Sequence, residues 1–330
     1  MNYRLITADV LDGLAQLPDE SVQCVVTSPP YWGLRDYGVV GQIGLERTPD
    51  EYVARMVGVF REVRRVLRKD GTLWLNCGDS YAGSWGAQGR EAHPKRASNT
   101  GSIPRGSDFK PKDLIGIPWL LAFAIRADGW WLRSEVIWHK PNPMPESTRD
   151  RPTKSHEQVF LLTRSARYYY DADAIAEAGA DSSRARLAQN VGAQAGSIRT
   201  YGGTMAHRPM KAVAQHKQAA LGRDLTLSSL GSNGEPLSRN KRSVWTIATE
   251  AFPGAHFATF PTALVEPCIL AGSRVGDTIL DPFSGSGTTG VVALSHQRDY
   301  IGIELNAAYG EMSRRRLETV APMFATEVRA

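Results

Sequence analysis

The chain of 330 residues is 42% hydrophobic and 22% charged and carries a net charge of +5. These are ordinary globular proportions, and the length suits one large α/β domain with an insertion or two domains, with an anionic partner admitted but not demanded. No apolar run nears the roughly 18 residues of a membrane span, Met1-Asn2-Tyr3-Arg4-Leu5 lacks the apolar core of a signal peptide, and Cys24, Cys77 and Cys268 are too scattered for a zinc site, so a cytoplasmic protein without a metal is expected.

Leu5-Ile6-Thr7-Ala8-Asp9 predicts a short strand ending on an acid, and residues 10–16 a short helix with Leu11 and Leu14 on one face. Val22-Gln23-Cys24-Val25-Val26-Thr27 predicts a buried strand, which two prolines end abruptly. Ser28-Pro29-Pro30-Tyr31-Trp32 then sets a hydroxyl, two proline carbonyls and two flat rings at the mouth of that strand, the edge where open α/β sheets bind ligands. Fixed acceptors beside a stacking ring suit a planar molecule bearing an amino group, such as cytosine or adenine. Residues 33–44 hold four glycines around Arg35-Asp36-Tyr37 and predict a loop placed to act as a lid.

Thr48-Pro49-Asp50-Glu51 is a capping box with proline at the first helical position. Val53, Met56, Val57, Phe60, Val63 and Leu67 follow at helical spacing, with Arg64, Arg65, Arg68 and Lys69 complementing the helix dipole and Gly71 as the stop. Residues 72–77 predict the next buried strand, so the pattern is strand, helix, strand, as in a parallel sheet. Residues 80–112 predict a long polar loop. A helix over 118–127 and strands over 131–139 and 157–163 follow, with Arg149, Arg151, Lys154 and His156 placed to face phosphate. From 172 to 243 apolar periodicity is lost, and ten basic residues stand against five acids, a surplus as large as the whole chain's net charge.

Residues 278–281 predict a strand, Pro282 to Gly290 a glycine-rich turn opening a helix, and 299–304 a strand ending in Glu304. Asn306 then caps a final amphipathic helix. Gly285, Gly287 and Gly290, with Glu304 about 20 residues on, satisfy a dinucleotide fingerprint, so an NAD-dependent oxidoreductase is one alternative. Against it, Asp281 would face a pyrophosphate with like charge, and too little chain follows Glu304 to complete a dinucleotide fold.

Ser28-Pro29-Pro30-Tyr31 resembles the catalytic motif of the DNA amino-methyltransferases, which methylate cytosine N4 or adenine N6. Residues 138–145 resemble a segment found downstream of that motif. Asp281-Pro282-Phe283-Ser284-Gly285-Ser286-Gly287-Thr288 resembles their S-adenosylmethionine (SAM) loop, and His256-Phe257-Ala258-Thr259-Phe260-Pro261 the motif that closes over the methionine end. The order, catalytic motif first and cofactor loop last, resembles the permuted β group. This likeness implies an α/β SAM-dependent methyltransferase fold, a mostly parallel twisted sheet flanked by helices with an inserted DNA-recognition region. Residues 1–171 would be the catalytic part, 172–243 the target-recognition insert and 244–330 the SAM-binding part.

Carried over by position, the resemblance makes Ser28, Pro29, Pro30 and Tyr31 catalytic. It makes Asp9, Phe260, Asp281, Phe283, Gly285, Gly287, Thr288 and Glu304 cofactor-binding, with Glu304 on the ribose and Asp9 near the adenine amine. It implies SAM as cofactor and double-stranded DNA as partner, with the target base flipped out of the helix, and a place in restriction-modification with room for a cognate restriction enzyme. The setting would be a bacterial or phage-infected cell, and the oligomeric state stays open. Ser28 favours N4 of cytosine over N6 of adenine. The motifs alone leave RNA or protein open as acceptor, and the basic insert leans towards DNA. Pro267-Cys268, the nucleophile dipeptide of cytosine C5 enzymes, lies in an apolar helical run and reads as a buried structural cysteine.

Overall fold

The computed structural model describes residues 1–34, 38–82, 109–110, 112–178, 200–201, 204–205, 238–250, 260–320 and 326–328. Two units emerge, one of Met1–Asp171 with Arg242–Ala330 and one of Ala172–Lys241.

In the first unit, β1 (Asn2–Thr7) leads to α1 (Val10–Ala15), capped by the Asp9 carboxylate on the Leu11 N–H at 2.9 Å. Leu14 is buried on this helix, while Leu11 is 42% exposed. After β2 (Val22–Thr27), α2 (Pro49–Val66) starts as the capping box predicts, with Thr48 Oγ1 accepting from the Glu51 N–H at 3.2 Å. Its end differs from expectation. Leu67 is already extended and pairs with Val22, so the helix stops at Val66 and Arg68 and Lys69 belong to β3 (Leu67–Cys77). Burying Leu67 against β2 outweighs the helical continuation to Gly71. Then come α3 (Ile117–Ala127), β4 (Trp131–His139) and β5 (His156–Thr163).

Among the described residues, the second unit carries two short antiparallel pairs, β6 (Glu177–Ala178) with β9 (Ser238–Arg239) and β7 (Thr200–Tyr201) with β8 (Thr204–Met205). Back in the first unit follow β10 (Val244–Thr246), α4 (Thr262–Gly272), β11 (Thr278–Asp281), α5 (Thr288–Ser295), β12 (Asp299–Glu304), α6 (Ala307–Val320) and β13 (Thr326–Glu327). The last short strand, absent from the sequence reading, pairs with β1.

One nine-stranded sheet runs β10-β4-β5-β3-β2-β11-β12-β1-β13. Every neighbouring pair is parallel except those of β5, which runs against both β3 and β4. The C-terminal strands β11 and β12 therefore lie between β1 and β2. Alternating residues serve two helical layers. Val25, Leu73 and Leu75 join the core under α1, α2 and α3, while Val26, Trp74 and Val159 meet Leu264 and Cys268 of α4.

Candidate active site

Strands β2, β3 and β4 end at the same sheet edge at which antiparallel β5 begins, since Cys77 pairs with Gln158 and His139 with His156. That edge gathers the polar groups around the two prolines. Ser28 Oγ donates to Tyr31 Oη at 3.2 Å, and Tyr31 Oη donates to Glu157 Oε2 at 2.7 Å. Asn76 Nδ2 donates to Tyr31 Oη at 2.9 Å, to Glu157 Oε2 at 3.0 Å and to Ser28 Oγ at 3.4 Å. Lys140 Nζ closes the cluster on Glu157 Oε1 and lies 4.2 Å from the Trp138 ring centre. Burial first, and the Glu157 charge next, hold the Tyr31 phenol well above its usual range, so it stays neutral.

The backbone of the motif is equally fixed. Pro29 is buried, and the Pro30 carbonyl accepts from Tyr52 Oη of α2 at 3.0 Å. The Trp32 indole donates to the Glu46 carbonyl at 2.9 Å, and the Gly33 N–H to Gly44 at 2.9 Å. Residues 35–37 of the expected lid lie outside the described residues. Asp79, just past β3, accepts from the N–H groups of Ser80, Gly116 and Ile117, which seats the start of α3, and Lys154 reaches it at 3.8 Å.

At the exits of β11 and β12 the glycine-rich turn forms a second cluster. Gly285 and Gly287 take φ of +52° and +77°, backbone that favours glycine. Among the described residues, a Cβ at Gly285 would meet only the Phe283 carbonyl, at 3.9 Å, so none of them closes the turn on that side. Glu304 accepts from the Gly285 N–H at 2.8 Å and the Asn306 N–H at 2.8 Å; burial raises its carboxyl against those bonds. Arg316 of α6 donates to the Ser286 carbonyl at 2.7 Å and to the hydroxyls of Ser286 and Thr288, bracing the turn. Phe283 packs on the core beneath it. Phe260, with Val26, Thr27, Asn76 and Cys268, lines a cavity of about 10 Å³. A glycine turn with the acid Glu304 at the exit of β12 fits a cationic ligand that carries a ribose.

Asp281 is placed differently from the other acids. It is 1% exposed, and both its oxygens have partners inside the protein. Oδ1 accepts from Thr27 Oγ1 at 2.7 Å and the Phe283 N–H at 3.1 Å, and Oδ2 from Thr289 Oγ1 at 2.8 Å. Burial pushes its carboxyl up to about 6 in spite of these bonds. The folded state therefore holds a proton that the unfolded chain has released between about pH 4 and 6, and stability falls as pH rises through that window. Asp281→Asn removes this titration. Its stability relative to the native protein should increase by about 3 kcal/mol from pH 4 to pH 8, read from denaturant unfolding at the two pH values.

The sequence reading missed Thr27, Asn76, Lys140, Glu157, Thr289 and Arg316 as site residues. A visible trace was Asn76, a lone amide at the exit of an otherwise apolar strand. Glu157 left none, because its placement depends on β5 running backwards. Of the phosphate-facing residues expected between 149 and 156, Arg151 pairs with Glu146 at 2.7 Å and stacks 3.8 Å from the Tyr81 ring centre. His256 to Thr259 and most of the 80–112 and 172–243 stretches lie outside the described residues. Cys268 is buried, with its thiol donating to the Leu264 carbonyl at 3.3 Å.

A mostly parallel sheet between two helical layers, with a glycine-rich turn at one strand exit and a proline-bounded polar cluster at the next, defines the SAM-dependent methyltransferase fold. Residues 22–315 match the N6/N4 family described as DNA methylase, and the chain belongs to that family. It is 45% identical over 317 residues to the type II methyltransferase M.Cfr9I of Citrobacter freundii, covering 95% of this chain and 87% of the relative. It is 43% identical over 316 residues to M.SmaI of Serratia marcescens, covering 95% and 90%. Among solved structures, TTHA0409 of Thermus thermophilus in complex with S-adenosyl-L-methionine superposes with a TM-score of 0.58 at 22% identity, covering 99% of this chain and 98% of that one. PvuII DNA methyltransferase (cytosine-N4-specific) does so with 0.61 at 19% identity, covering 96% and 86%. The chain is thus a DNA methyltransferase of the N4/N6 family, and the dehydrogenase alternative is set aside. Among the described residues no helix is long and apolar enough to cross a membrane.

Proposed function

We propose that this methyltransferase modifies the exocyclic N4 of cytosine at a fixed sequence in double-stranded DNA, as a type II modification enzyme whose natural partner is a cognate restriction enzyme. The observation that carries the reading is Ser28, a hydroxyl at the first position of the catalytic motif, held in a hydrogen-bonded cluster with Tyr31 and Asn76. In the resembling enzymes a serine there is more frequent with cytosine and an aspartate with adenine. The name of the PvuII enzyme, cytosine-N4-specific, supports the same choice.

The target base is unreachable inside a duplex and is flipped into the site. There Ser28 Oγ and the Pro29 carbonyl accept the N–H bonds of the amine and turn its lone pair outward. The Tyr31 ring, pinned by its hydroxyl, supplies a fixed surface for stacking. Phe283, Gly285, Gly287, Thr288 and Glu304, with Asp9 and Phe260, hold the cofactor. When bound, SAM supplies an electrophilic methyl group. Positioning and electrostatics then provide most of the acceleration. The basic stretch 172–243 follows the DNA backbone and reads sequence.

The test is methylation of unmodified genomic DNA, followed by digestion to nucleosides and mass analysis. N4-methyl-2'-deoxycytidine is the expected product, and N6-methyl-2'-deoxyadenosine alone would overturn the choice of base.

A further inference from the structure

The two motifs are far apart in sequence, yet one carboxylate joins them. Thr27, the residue before Ser28, and Thr289, in the first turn of α5, are both fully buried and both donate to Asp281, at 2.7 and 2.8 Å. The Phe283 N–H, within the glycine-rich turn, adds the third bond at 3.1 Å. Thr289 Oγ1 also lies 3.2 Å from the Val26 carbonyl, so the same hydroxyl faces β2 directly. Beneath these contacts β2 and β11 are paired at Cys24–Ile279 and Val25–Leu280, and the carboxylate extends that pairing past the last backbone bond of the ladder. The charged or titratable groups facing it are Glu304 and Tyr300 of β12.

We propose that Asp281 is a positioning residue, a latch that fixes the distance between the catalytic strand exit and the cofactor turn, and not a ligand of the cofactor. It deepens the methyltransferase reading and rests on it. Methyl transfer requires the amine and the methyl group to meet within a near-attack separation, so play between the two strand exits costs rate while leaving each binding half intact. The geometry also makes asparagine a close substitute. Its oxygen accepts from Thr27 and Phe283, its NH₂ donates to Thr289 Oγ1, and the Thr289 proton turns to the Val26 carbonyl.

The experiment compares Thr27→Val, Asp281→Asn and Asp281→Ala with the native enzyme. Readouts are SAM Kd by calorimetry, kcat for methyl incorporation into DNA, and a Thr27→Val/Asp281→Asn cycle in thermal unfolding. Thr27→Val should lower kcat by at least about tenfold with SAM Kd within about threefold of native, and Asp281→Asn should recover most of what Asp281→Ala loses in both. A Thr27→Val enzyme with native kcat overturns the proposal, as does an Asp281→Asn enzyme whose SAM Kd rises as far as that of Asp281→Ala, the mark of a charge used on the cofactor. If Asp281→Ala fails to fold, Thr27→Val and Asp281→Asn decide alone. Should the native enzyme transfer nothing to DNA, the functional reading fails, while SAM Kd and the unfolding cycle still judge the latch: loss of coupling between Thr27 and Asp281 overturns it.

Discussion

Replacing Glu157 by alanine is expected to lower methyl transfer by about two orders of magnitude and to destabilise the fold. The carboxylate is the common acceptor for Tyr31, Asn76 and Lys140, and both members of the Glu157–Lys140 pair are less than one-fifth exposed. Removing it leaves a partly buried ammonium without its counter-charge, which costs about 3 kcal/mol when the pair is well buried. It also frees Tyr31 Oη, whose other neighbours in the cluster are Asn76 and Ser28. The motif would then keep its backbone, held by Tyr52 on the Pro30 carbonyl, and lose the fixed placement of its ring and hydroxyl. Glu157→Gln retains one acceptor but not the charge opposite Lys140, so it should fall between native and Glu157→Ala. Radiolabelled methyl incorporation and thermal unfolding measure the two effects separately. Native activity in Glu157→Ala would remove the cluster from the mechanism.

The second large effect belongs to Gly78. A Cβ there would lie 2.4 Å from Tyr31 Cε2, 2.8 Å from Cδ2 and 3.1 Å from Cζ. A free ring would swing aside, but this one is anchored at its hydroxyl by Glu157 and Asn76. Gly78→Ala must therefore break those bonds or strain β3, at about 1–3 kcal/mol. A shift of about 1 Å in the ring is enough to lower kcat by about a hundredfold. Removing the obstacle gives the control. In Gly78→Ala/Tyr31→Ala the stability cost of the added methyl should vanish, although activity stays low because the ring is gone. If Gly78→Ala alone is as stable and as active as the native protein, Tyr31 is not held in the way its contacts indicate.

Local sequence carried much of this fold. The strands at 131–139, 278–281 and 299–304 coincide with β4, β11 and β12, and the capping box at Thr48 opens α2 where expected. Those features depend on neighbours within a few residues: turn-forming prolines and glycines, a cap, an apolar run. The end of α2 was less legible because a long-range pairing, Leu67 with Val22, overrode the stop at Gly71. Asp281 was visible as an acid at the cofactor turn, but the direction in which its carboxylate is spent was not, since Thr27 lies 254 residues away.

By itself the sequence determined the two motifs, their order, and the strand exits on which they sit, because proline, glycine and capping side chains act on their own segment. Only the tertiary structure decided that β11 and β12 slot between β1 and β2, and that β5 runs against its neighbours so that Glu157 arrives at the catalytic edge. The physical reason is that β2 is buried at every position. A strand covered on both faces shows no alternation to mark its register or its partner, so strand order and sense are settled by which apolar surfaces close over one another.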